Sequence, residues 1–258
     1  MEFRPCIDIH NGQVKQIVGG SLRDEGDQAR ENFVSSKDAG YFAQLYQKAG
    51  IKGGHVILLN GVDSEYYEKT KKQALLALGA YPGGLQAGGG ITPQNAEEFL
   101  KAGASAVIVT SYVFQNGEIR YDRLKEMCLA VGREHLVLDV SCRKTREGYL
   151  VVTDRWQKLT KEKLETALLE RLEEYCSEFL VHAVDVEGKS KGIEKEVVTL
   201  LGKYEGMPVT YAGGVHSYED IGLIKKLGQN RVNVTAGSAL DLFGGELSWK
   251  QVLAMCRE

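Results

Sequence analysis

The chain repeats itself at half its length. LQAGGGIT at 85–92 is echoed by VTYAGGVHS at 209–217: strand, glycines, an apolar residue, a polar cap, then a helix. AVIVTS at 106–111 is echoed by NVTAGS at 233–238, a strand running into small residues and a serine. Gly89 and Gly214 lie 125 residues apart, Ser111 and Ser238 127, and Asp8 in CIDIH and Asp139 in VLDVS 131. In a chain of 258 residues these offsets all fall near the midpoint, which points to a duplicated half.

The strand pattern says what is duplicated. Short β-rich runs recur at about 3–9, 55–60, 84–89, 106–111, 135–141, 179–185, 208–213 and 231–236. Most are near-continuous apolar runs, such as HVILL, AVIVT and HLVLDV, the pattern of parallel strands covered on both faces. Amphipathic stretches lie between them, including 39–50, 92–104 and 161–179. Thr92-Pro93 reads as N-cap and first helical residue, and Ser217 with Asp220 as a capping box. Eight strands alternating with helices over this length predict an α/β fold, a (β/α)8 TIM barrel of two half-barrels at about 1–130 and 131–258. A doubly wound open sheet is the alternative, and it leaves the duplication unexplained. The expectation is one barrel domain spanning 1–258. Two connections, 19–38 after the first strand and 143–158 after the fifth, are long for a barrel and read as lids or binding loops, or as small hairpins.

Composition narrows the function. With 43% hydrophobic and 26% charged residues the chain can bury a large core and stay in solution. A net charge of −3 gives no electrostatic reason to bind nucleic acid or an anionic membrane. A phosphate ligand must therefore be held by local features. The five cysteines are odd in number and form no CxxC pair, which argues against a disulfide framework or a zinc site and for a reducing compartment. No run approaches a membrane span, and MEFRPCIDI lacks a secretory signal pattern, so a cytoplasmic location is expected.

Gly88-Gly89-Gly90 ends the third strand and Gly213-Gly214 the seventh. Each run precedes a strand end carrying a hydroxyl, Thr110-Ser111 or Gly237-Ser238. Glycines let backbone N–H groups turn toward an anion, and the hydroxyl completes the cradle. Steric strand termination is the plainer reading of one such pair; two at half-chain offset predict two phosphate sites and a ligand phosphorylated at both ends. Between them stand Asp8 and Asp139. Either could be a strand-end cap. Facing each other across a substrate, they suit a base and an acid. No metal-ligand spacing, GxGxxG or P-loop occurs, so no metal and no cofactor is expected.

The segments PCIDIHNGQVKQIVGG, LQAGGGI, LVLDVSC, DVEGKSKGI, YAGGV and TAGSAL resemble the ProFAR isomerase family of histidine biosynthesis, in its eukaryotic-type branch, nearly end to end. The resemblance implies an Amadori rearrangement of an aminoaldose carrying two phosphates. It implies Asp8 as the base that removes the C2 proton and Asp139 as the acid that helps open the ribose ring. Gly89, Gly90 and Ser111 would hold one phosphate, and Gly213, Gly214, Gly237 and Ser238 the other. Trp156 would stack on the imidazole carboxamide, or simply anchor its loop. Lys15 and Arg30 are candidate charge partners near the mouth, equally readable as solvated.

Departures from the family pattern touch the second and sixth strands. Leu58 and Asn60 stand where many members carry acids, and His55 remains at the start of that run as a structural candidate. FLVHAVDVEGKSKG has neither the threonine nor the RDGT-like segment of the common pattern. Asp185 could replace the acidic site residue with His182 beside it, although a histidine after an apolar strand is more often core. The alternatives are the cyclase subunit of imidazole glycerol phosphate synthase, which carries a DRDGT segment absent here, and a non-catalytic phosphosugar-binding barrel. Isomerisation of phosphoribosylanthranilate would use the same chemistry. A monomer is expected.

Overall fold

The computed structural model describes residues 1–18, 21–22, 28–189 and 191–258. Its parallel strands are β1 Cys6–His10, β2 Gly54–Leu58, β3 Leu85–Gly88, β4 Ala106–Val109, β5 Leu136–Asp139, β6 Glu178–His182, β7 Val209–Ala212 and β8 Val232–Thr235. They neighbour one another in chain order, each parallel to the next. The residues before β1 close the ring: Phe3 pairs with Val234, the Arg4 amide donates to the Val234 carbonyl at 2.8 Å, and the Val234 amide to Glu2 at 2.9 Å. This closure excludes the open sheet. One circuit of the registers from Ile9 through Leu58, Val109, Leu138, Phe179, Val209 and Val232 returns at Met1. That stagger of about eight residues is the shear of a (β/α)8 barrel.

Period-2 alternation sorts the strand side chains. Ile7, Ile9, Val56, Val107, Leu138, Val181, Tyr211 and Val234 belong to the main core. A smaller cluster of Ala106, Ile108, Val137 and Leu180 fills the barrel axis. Asp8 and Asp139 have the inward parity, one step beyond Cys6 and Val137. The barrel floor is polar: buried Glu178 accepts from Arg4 Nη1 at 2.6 Å, Gln86 Nε2 at 2.7 Å and Thr210 Oγ1 at 2.6 Å. Buried groups of this kind need such complete pairing.

The helices are α1 Ala39–Lys48, α2 Tyr67–Ala80, α3 Ala96–Lys101, α4 Tyr121–Val131, α5 Thr166–Leu172, α6 Lys195–Lys203, α7 Tyr218–Leu227 and α8 Trp249–Arg257. Both arms of the Ser217–Asp220 capping box are present. The expected start at Thr92-Pro93 is early: residues 93–95 form a turn, and α3 begins after Asn95. The expected helix over 161–179 shrinks to α5. Residues 158–163 instead form a strand against 148–153, because Thr160 turns inward while its neighbours face out.

Both long connections are antiparallel ribbons. β1 continues through Asn11-Gly12, both with positive φ, into 13–17, which pairs with 31–34. Two left-handed residues make the type I′ turn that matches strand twist. After β5, strands 142–145, 148–153 and 158–163 form a three-stranded sheet. Within the first connection, residues 19–20 and 23–27 lie outside the described residues.

Candidate active site

A cavity of about 420 Å³ opens at the C-terminal ends of the strands, with lining residues from all eight. It is lined by Asp8, Asp139, Gly89, Gly90, Ser111, Gly213, Gly214, Gly237 and Ser238, and by Trp156 and His182. Lys15, Arg30 and Asp185 do not line it. Buried Lys15 pairs with Glu31 at 2.5 Å across the first ribbon. Asp185 accepts from the Lys144 amide at 2.7 Å and so ties the β6 loop to the second ribbon.

The two glycine turns match in conformation. Gly89 and Gly213 have φ of +108° and +123°, and Gly90 and Gly214 +67° and +74°. The structural offset is therefore 124, one less than the Gly89–Gly214 spacing suggests. A Cβ on Gly89 would sit 2.2 Å from the Leu58 carbonyl oxygen, and one on Gly213 2.8 Å from that of Ala183. Left-handed backbone pressed on the preceding strand thus demands glycine at both. Among the lining residues four carboxylates, Asp8, Asp139, Asp154 and Glu187, accompany one basic side chain, Arg155. An anionic ligand there needs backbone N–H groups and hydroxyls.

Asp8 is half-buried. It accepts from Gln16 Nε2 at 3.3 Å and from the Cys6 thiol. Burial pushes its carboxyl up to about 6, against these two donors. Asp139 takes both of its hydrogen bonds on Oδ1, from the Ser141 amide at 2.8 Å and the Ser141 hydroxyl. Ser141 Oγ in turn accepts from the His182 amide at 2.9 Å and lies 3.0 Å from His182 Nδ1. The single hydroxyl proton goes to Asp139, so Nδ1 carries the proton of a neutral imidazole. Burial raises the Asp139 pKa, opposed by His182 and Ser141, and burial lowers that of His182, opposed by Asp139. His55 lies below, its ring 5.9 Å from that of His182, driven down to about 3 by burial first and then by His182 and Arg4.

Trp156 sits at the tip of the second ribbon, where Asp154, Arg155 and Trp156 all have positive φ. Three non-glycine residues in this region cost about 1–2 kcal/mol each. The turn is held by Ser111 Oγ, which accepts from the Asp154 amide at 2.9 Å, and by Arg143 Nη2 donating to the Trp156 carbonyl at 3.3 Å. The Trp156 ring packs on His182 with centroids 5.1 Å apart.

Sequence reasoning missed Glu187. Its Oε2 is buried in the cavity wall with no hydrogen-bond partner among the described residues. Burial first, and then the Asp8 charge, push it up to about 8. Its signal in the sequence is an acid directly before a glycine in the loop after an apolar strand, two residues beyond Asp185. Asn60 also lines the cavity and accepts from the Asn11 amide at 2.8 Å. Among the described residues no group of three or more His, Cys, Asp or Glu could hold a metal ion, and no helix is long and apolar enough to cross a membrane.

The family described as Histidine biosynthesis protein matches residues 2–248. Three relatives are named isomerases of 1-(5-phosphoribosyl)-5-((5-phosphoribosylamino)methylideneamino) imidazole-4-carboxamide. The one from Medicago truncatula, named chloroplastic, is 52% identical over 258 residues, covering 98% of this chain and 81% of the relative. The Neurospora crassa protein is 45% identical over 247 residues, covering 95% and 93%. The Saccharomyces cerevisiae protein is 41% identical over 253 residues, covering 95% and 94%.

Proposed function

The chain belongs to the histidine biosynthesis protein family, and from that premise we propose that Asp8 and Asp139 carry its reaction as base and acid. The protein is an isomerase of histidine biosynthesis: it converts the aminoaldose ProFAR to its aminoketose isomer by an Amadori rearrangement. Asp139 gives a proton to the ribose ring oxygen. The C1–O bond breaks, and the amine lone pair forms an iminium at C1. Asp8 then takes the C2 proton, and the electron pair left behind forms the C1=C2 bond as the iminium collapses. The resulting enaminol tautomerises, with a proton reaching C1 and the C2 hydroxyl becoming a ketone. Protons and electrons balance, as an isomerisation requires.

One observation carries this reading: two half-buried acids with raised pKa share a cavity between two matched glycine turns. At neutral pH a group titrating at about 6 is mostly ionised, as a base must be. On Asp139, Ser141 occupies Oδ1 and leaves Oδ2 for the transferable proton. The phosphates are assigned to Gly89, Gly90 and Ser111 at one end, and to Gly213, Gly214, Gly237 and Ser238 at the other. Trp156 stacks on the substrate's planar imidazole, with His182 beneath it. Lys15 and Asp185 support the two ribbons from outside. We assign residues 1–258 to one barrel domain of two half-barrels, about 1–130 and 131–258. It acts as a monomer, in the cytoplasm, and the five unpaired cysteines support no more than a reducing compartment.

The test is turnover of ProFAR by wild type, Asp8→Asn and Asp139→Asn, with product drawn off by cyclase and ammonia and binding measured separately. Each substitution is expected to cost ~100- to 10,000-fold in kcat while binding survives. Retention of kcat by either variant removes that residue from the chemistry.

A further inference from the structure

We propose that Gln16 is the positioning residue of Asp8, and that residue 237 is glycine to make room for the Gln16 carboxamide. The inference rests on the reading of Asp8 as the base.

Gln16 is a buried polar residue on the first ribbon, 3% exposed, and lies outside the cavity lining. Its Nε2 lies 3.3 Å from Asp8 Oδ2 and 3.5 Å from Cys6 Sγ. Its Oε1 lies 2.1 Å from the point where a Cβ on residue 237 would stand. The carboxamide is thus wedged between the base and the end of β8. Gly237 is not among the glycines with positive φ, so its φ does not call for glycine. Space is what excludes a side chain, and the atom in the way is the tip of a flexible one. A methyl at 237 would therefore push the carboxamide aside at little cost to the fold, and would take it off Asp8. This gives Gly237 a second task beside the anion cradle.

The sign follows from the donor. An amide N–H favours the carboxylate over the acid, so losing it moves the Asp8 titration upward. The titratable groups facing Asp8 are Cys6 on its own strand, Tyr46 on α1 and Glu187 in the segment after β6. Tyr46 donates to the Cys6 carbonyl at 3.2 Å. Burial holds Cys6 and Tyr46 well above their ordinary values and Glu187 up to about 8, so all three are uncharged where Asp8 titrates. Gln16 itself does not titrate. The substrate's phosphates also titrate at about 6 and do so identically for every variant, so the displacement of the kcat/KM acid limb between variants is what reports Asp8.

The experiment is the pH profile of kcat/KM from pH 5 to 9 for wild type, Gln16→Leu, Gln16→Ala, Gly237→Ala, the double Gln16→Ala/Gly237→Ala, and Asp8→Asn, with Tm for each. Gln16→Leu keeps the volume and removes the donor. Its acid limb is expected to rise by roughly one pH unit, so that it loses roughly fivefold at pH 6, close to tenfold at pH 5 and very little at pH 8. Gly237→Ala is expected to show the same displaced limb with little change in Tm. In the Gln16→Ala background it should displace the limb no further, whatever it does to KM. An unmoved limb in Gln16→Leu, or a limb displaced by Gly237→Ala equally in both backgrounds, overturns the proposal. Full activity in Asp8→Asn instead overturns the underlying assignment of the base, which separates the two failures.

Discussion

Asp8 takes its hydrogen bonds from Gln16 and Cys6, on its own strand and that strand's hairpin continuation. Asp139 takes its own from Ser141, two residues on, which is backed by His182 on the neighbouring strand. The two sites stand on matched halves, with the same left-handed glycine pairs at Gly89-Gly90 and Gly213-Gly214. The two halves thus carry conformationally matched glycine turns, while the groups behind the two acids differ. A base needs a modestly stabilised carboxylate, whereas an acid needs one oxygen occupied and the other aimed at the substrate. Under the base and acid roles proposed above, the difference between Gln16 and the Ser141–His182 pair is the source of that asymmetry on a near-symmetric frame.

The most damaging way to break the comparison, after loss of either acid, is Ser141→Ala. It leaves the buried His182 Nδ1 without its acceptor and Asp139 without its hydroxyl donor. We expect kcat to fall by ~10- to 100-fold while the acid limb assigned to Asp8 stays in place. If the limb at about 6 moves with Ser141, the two acids titrate as one unit and the asymmetry is lost.

A smaller effect distinguishes the two glycine turns. Gly89→Ala places its methyl 2.2 Å from a backbone carbonyl oxygen, and Gly213→Ala 2.8 Å. Both also force alanine into left-handed backbone, at about 1–2 kcal/mol. Gly89→Ala should be the more destabilised, with Tm lowered by roughly 4 °C or more at about 2–4 °C per kcal/mol, and both should raise KM. Equal Tm losses would mean that the backbone conformation alone, and not the strand behind it, sets the requirement.

The smallest effect is on stability against pH. His55 is held at about 3, below its ordinary 6.5, so its contribution is complete above pH 6.5 and is lost as pH falls toward 3. Glu187 is held at about 8, above its ordinary 4.5, so its contribution is complete below pH 4.5 and is lost as pH rises through 8. His55→Gln should flatten the acid side of a Tm–pH curve and Glu187→Gln the neutral-to-alkaline side, each by a few kcal/mol at most. A wild-type curve that His55→Gln leaves unchanged below pH 6 would show that His55 protonates without cost.

The sequence alone determined the strand count, the closed barrel and most of the residues at its mouth, though not Lys15, Arg30 or Asp185, which lie off the cavity. Each of these readings rests on a short-range code. Period, apolar runs and capping chemistry are read within ten or so residues, and duplication checks one half against the other. Even the Ser217 capping box was legible at that range. Where local code was ambiguous the reading failed. Lys161–Lys163 opens the amphipathic stretch read as helical, yet it belongs to the strand at 158–163 that pairs with 148–153. The acids were visible as residue types, whereas what sets their chemistry was not. Gln16 faces Asp8 across a hairpin and Gly237 from the far end of the chain; Ser141 meets His182 over 41 residues; Glu187 comes from a different strand's loop to share the Asp8 cavity. Only closing the barrel withdraws water from these groups together. Desolvation, which raises Asp8, Asp139 and Glu187 alike, is a property of the enclosed space and of no segment by itself.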